Sequence, residues 1–119
     1  MTNRTAATRY ARALLDVALK EQANLATVES QLAELATLFA ENEGLRKALH
    51  NPAVPVQRKR AAVVEIVAKA GVLPIVGKTM ALLAERDRLV ILPEVADSFR
   101  QRLQDIVTYI INGVADPPW

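Results

Sequence analysis

Four prolines, at positions 52, 55, 74 and 93, interrupt a chain whose apolar residues otherwise recur every three or four positions. That recurrence is the spacing of one helix face, and proline punctuates helices because it lacks an N–H and fixes its own φ. No stretch alternates apolar and polar residues between turn residues, so strands are not expected. The predicted class is all-α: a single-domain, six-helix antiparallel bundle. Helix 1 is expected from about Thr5 to Gln22. Helix 2 follows an Asn24 cap and runs to Glu41, with Val28, Leu32, Leu35 and Phe39 inward. A short helix 3 spans about Glu43 to His50. Pro55 suits the first turn of helix 4, which reaches Ala70 with Val63, Val64 and Val67 inward, and Gly71 fits the left-handed position past its end. Pro74 opens helix 5, to about Asp87. Pro93 opens helix 6, whose apolar stripe is Val95, Phe99, Leu103, Ile106 and Ile110.

The composition narrows the function classes. At 119 residues, 51% of them hydrophobic, the chain can bury one core without staples. Only 4% are aromatic, and the dominant Ala, Leu and Val favour close helix packing over a β-sandwich. With no cysteine, disulfides and thiolate chemistry are excluded. A net charge of +2 is too small to point to a nucleic-acid partner. No apolar run approaches the ~20 residues of a membrane span. The Arg-rich start resembles a transit peptide, but Asp16 and Glu21 follow it within a continuous helical pattern. A cytoplasmic protein, soluble or peripheral to a membrane, is expected.

Helices 1 and 5 carry an extra apolar row. On helix 1, Ala7, Ala11, Leu14 and Ala18 form one row and Ala6, Tyr10, Ala13 and Val17 a second. On helix 5 the rows are Val76, Met80 and Leu83, and Ile75, Thr79 and Leu82. A surface helix needs a single stripe. Either both helices are central and fully buried, or their second rows adjoin as a shallow groove. Small residues such as Ala6, Ala13 and Thr79 would then admit the backbone of a partner helix.

Other motifs carry less. Gly71-Val-Leu-Pro-Ile-Val-Gly77-Lys78-Thr79 has five residues between its glycines where a phosphate-binding loop has four. It also follows a helix, and Pro74 lacks an N–H. His50 is the only histidine and has no cysteine beside it, so no metal site is expected, and no cofactor. No nucleophile and base stand at a recognisable spacing, so the chain does not read as an enzyme. Arg58-Lys59-Arg60 lacks interleaved aromatics and reads as a solvated helix face.

Three segments together resemble the ATP synthase delta-subunit family, whose mitochondrial member is the oligomycin-sensitivity-conferring protein. They are Arg9-Tyr-Ala-Arg-Ala-Leu-Leu-Asp-Val-Ala18, Asn51-Pro-Ala-Val-Pro-Val-Gln-Arg-Lys-Arg-Ala61 and Leu82-Leu-Ala-Glu-Arg-Asp-Arg-Leu-Val-Ile-Leu-Pro-Glu94, in family order and spacing. The resemblance implies a six-helix N-terminal domain over residues 1–105 with a stator role. There it holds the N-terminal helix of an alpha subunit between helices 1 and 5. Carried onto this chain, the partner-binding residues are Tyr10, Ala13, Val17, Thr79 and Leu82. The family's second domain, which meets the peripheral stalk, is missing, so no stalk contact is expected.

From about Gln104 the sequence departs from the family pattern, and residues 106–119 read as a divergent extension ending in Pro-Pro-Trp. Ile106, Val107, Ile110, Ile111 and Val114 prolong the stripe of helix 6, as a surface either buried on its own bundle or open to self-association. A rival reading is an engineered or fragmentary scaffold presenting this altered helix 6, with Tyr109 and Trp119 as aromatic anchors.

Overall fold

The computed structural model describes residues 3–112, which form six α-helices and one 3-10 turn. In order they are α1 (Asn3–Lys20), α2 (Leu25–Glu41), α3 (Glu43–His50), α4 (Val56–Ala70), α5 (Pro74–Glu85), the 3-10 turn Leu89–Ile91, and α6 (Leu92–Asn112). No strand occurs among the described residues. Val114, Pro117, Pro118 and Trp119 lie outside them.

The helix ends follow from local chemistry. The Asn24 side chain accepts the Thr27 N–H at 3.1 Å and starts α2. Asn42 alone separates α2 from α3. Its backbone N–H donates to the Leu38 carbonyl, and its side chain accepts the Leu45 N–H at 3.0 Å. Gly71 ends α4 at φ 68° and donates to the Val67 carbonyl. Pro74 opens α5, where a missing N–H is no loss.

Two helices end in left-handed caps without glycine. After α1, Gln22 (φ 56°) donates to the Leu19 carbonyl and Ala23 to that of Ala18. After α5, Asp87 (φ 54°) donates to Ala84 and Arg88 to Leu83. These paired bonds are Schellman caps, a position glycine usually fills. A side chain held there costs about 1–2 kcal/mol, and glycine's extra freedom in the unfolded chain offsets about half of that. Gln22→Gly is therefore expected to raise stability by about 0.5–1 kcal/mol, read as a higher urea midpoint at unchanged slope.

The core is formed where α1, α2, α5 and α6 meet. α6 packs on α1 and α2, and α1 also packs on α5. Phe99, Leu32, Met80, Leu83 and Leu92 are fully buried. The Gln31 side-chain Oε1 of α2 accepts the Leu73 N–H at 2.8 Å, pinning the start of α5 to α2.

α4 stands apart, packing to any extent only on α5, and this corrects two sequence expectations. Val63 is buried and Val67 half-buried, but Val64 is exposed, because a helix with one neighbour has one narrow inward face. The basic run is not a uniformly solvated face either. Arg58 and Arg60 are exposed, whereas Lys59 is 2% exposed and donates to Asp87 Oδ1 at 2.9 Å. Gly77 of α5 permits the close approach of these two helices: a Cβ there would lie 2.9 Å from Val67 Cγ1.

Candidate docking groove

The two rows of helices 1 and 5 divide as a bundle edge requires. The first rows are entirely buried: Ala7, Ala11, Leu14 and Ala18 on α1, and Val76, Met80 and Leu83 on α5. In the second rows only Ala6 and Ile75 are buried. Tyr10 and Thr79 are half-buried, and Ala13, Val17 and Leu82 are exposed. The reading in which both helices are fully buried is thereby overturned, because α6 and α5 each cover part of α1 and nothing described covers the strip that carries Ala13 and Val17. Ala6 is corrected as well: it packs in the core and leaves room for no partner.

The open rows face each other across a groove of about 210 Å³ lined by Tyr10, Ala13, Leu14, Val17 and Glu21 of α1 and its cap, and by Ile75, Lys78, Thr79 and Leu82 of α5. All five residues singled out from the sequence meet in this groove. Leu14, Glu21, Ile75 and Lys78 were not among those five. Glu21 lies four residues beyond Val17 and Lys78 four before Leu82, so helical spacing carried the signal that their charge concealed. Polar demand inside is small. The Thr79 hydroxyl donates to its own helix, at the Ile75 carbonyl, over 2.9 Å. Glu21 and Lys78 are the charged residues of the lining. The volume falls below the roughly 300–1,000 Å³ usual for small-molecule pockets. The geometry offers a trough for a few apolar side chains and no group positioned for bond making.

A larger cavity, of about 480 Å³, lies between α1 and α6 over Leu15 and Ile106. Its walls mix Arg4 and Arg102 with Glu94, Asp97 and Asp105, and much of that polarity is already engaged. Asp97 pairs with Arg100 at 2.7 Å, Gln101 donates to Asp105 at 3.3 Å, and Thr8 donates to the Arg4 carbonyl at 2.9 Å. The phosphate-loop lookalike folds as a helix end, a turn and a helix start. The Gly77 N–H is committed to the Leu73 carbonyl at 3.0 Å.

The helix 6 surface divides too. Ile106 is buried at 8% exposure, so it belongs to the core and not to a surface. Val107, Ile110 and Ile111 are exposed, because α6 outruns the helices that cover its earlier turns. Among the described residues these three form the exposed apolar end of α6. Val114 lies outside the described residues.

The described residues thus define a small all-helical bundle with an apolar trough left open between two of its helices. The ATP synthase delta (OSCP) subunit family model matches residues 6–110, and the chain belongs to that family. It is 32% identical over 117 residues to the ATP synthase subunit delta of Geotalea uraniireducens (strain Rf4), covering 98% of this chain and 62% of that protein. Identity is 42% over 103 residues with the subunit delta of Myxococcus xanthus (strain DK1622), and 36% over 99 residues with that of Anoxybacillus flavithermus. Those alignments cover 84% and 83% of this chain, and 56% and 54% of the relatives. The chain thus spans a little over half the length of these relatives. The family match runs past the boundary expected at residue 105.

Proposed function

We propose that this chain is a non-catalytic docking module in the stator of a rotary ATP synthase, holding the N-terminal helix of an alpha subunit in the α1–α5 groove. One observation carries the reading: Tyr10, Ala13, Val17, Thr79 and Leu82 line a single open apolar trough. A partner helix laying two or three Leu- or Val-sized side chains there gains roughly 1.5–3 kcal/mol for each one fully buried. Part of that gain is spent on lost freedom of motion. No helix among the described residues is long and apolar enough to cross a membrane. Attachment through the alpha subunit fits a position on the cytoplasmic side, peripheral to the membrane.

The test is calorimetric titration of a cognate alpha-subunit N-terminal peptide into the chain. Binding in the micromolar range is expected, with a negative heat-capacity change from apolar burial. A correctly folded chain that binds no peptide at about 0.5 mM, an affinity of only some 4–5 kcal/mol, would sink the proposal.

A further inference from the structure

Three faces of α5 have different neighbours. Val76, Met80 and Leu83 enter the core, while Ile75, Lys78, Thr79 and Leu82 line the groove. Gly77 meets Val67 of α4. At 100° per residue, Gly77 lies about 150° around the helix from the centre of the groove row. α4 therefore presses on the back of the helix whose front is the groove wall. α5 is the only element on which α4 packs extensively. Its hold is fixed at two places, by the glycine contact in the first turn of α5 and by the ion pair of buried Lys59 with half-exposed Asp87 just beyond the last.

We infer that α4 is the brace that sets the position of the α5 groove wall, with Gly77, Val67, Lys59 and Asp87 as positioning residues for the docked helix although none of them lines the groove. The inference rests on the docking reading above. Val67 cannot easily make room for a side chain at position 77, because a β-branched residue inside a helix has one strongly preferred χ1 rotamer. A methyl group at 77 therefore acts as a wedge between α4 and α5. The strain is passed to the two ends of α5, which are tied to Gln31 and to Lys59.

The experiment uses the full chain with Gly77→Ala and the compensating double variant Gly77→Ala/Val67→Ala. Its readouts are the methyl NMR signals of Thr79 and Leu82 without partner and the affinity for the alpha-subunit N-terminal peptide. Gly77→Ala is expected to keep its helix content, to shift both methyl signals and to weaken the peptide about tenfold, a coupling typical of packed neighbours. The double variant should restore the signals and bring affinity back to within about threefold of the parent. A role confined to stability would lower the urea midpoint and leave the methyl signals and the affinity of the folded chain unchanged. That result, or a failure of the double variant to restore, overturns the brace. Should Gly77→Ala not fold, Lys59→Met, which keeps the buried stem and removes the ion pair, is read the same way. If the parent binds no peptide the docking reading fails, and the methyl signals alone decide whether α4 positions the wall.

Discussion

A Leu82→Asp chain is expected to fold like its parent and to lose the alpha-subunit peptide by a factor of about 100 or more, roughly 3 kcal/mol. Leu82 is 38% exposed on the α5 wall, so a carboxylate there stays hydrated while the groove is empty. The local cost is the smaller helix propensity of aspartate, about 0.5–0.7 kcal/mol, and some lost packing. A docked helix would strip that water and leave the charge facing apolar side chains, and Lys78, on the same wall, is too exposed to compensate fully. Val17→Asp, across the groove at 43% exposure, should behave alike. Tyr10→Asp is the less discriminating choice. Tyr10 is packed against the core, so the substitution perturbs fold and groove together. The reading fails if both aspartate variants, with parental circular dichroism, bind within about threefold of the parent.

The opposite pattern is expected at the centre of the bundle. Phe99 of α6 is fully buried in the core that α6 forms with α1 and α2. Phe99→Ala should cost about 3–5 kcal/mol, from lost burial and from the cavity left behind. A domain this size has about 6–18 kcal/mol in all, so the urea midpoint should fall by about a sixth or more. The fraction that remains folded should bind the peptide as the parent does, because Phe99 lies outside the groove. A loss below about 1 kcal/mol would show that α6 is not the centre of the core.

The fold was legible wherever a boundary is set by a residue that can do little else. Asn24, Asn42, Gly71 and Pro74 stand at helix ends, and α2 and α3 end where their sequence says they should. The caps at Gln22 and Asp87 were not legible, since glutamine does not favour a left-handed backbone and aspartate favours it far less than glycine does. The 3-10 turn Leu89–Ile91 was missed because three residues cannot display a period. The groove was half legible. Surplus rows on two helices can be counted, but whether they adjoin depends on tertiary packing. Only the coordinates show that Ala6 and Ile75 fall on the covered side while Val17 and Leu82 do not. Lys59 was misread for a similar reason. Its neighbours Arg58 and Arg60 do point to solvent, and the acid that draws it inward lies 28 residues away.

α1 is clasped between α5 on one flank and α6 on the other. A sideways pull on anything seated between α1 and α5 is therefore received as compression of close-packed side chains, with no loop in series to stretch. Interiors at crystal-like density yield little under load. A domain docked as proposed should act as a stiff coupling, with any elastic compliance of such an assembly residing in its other parts.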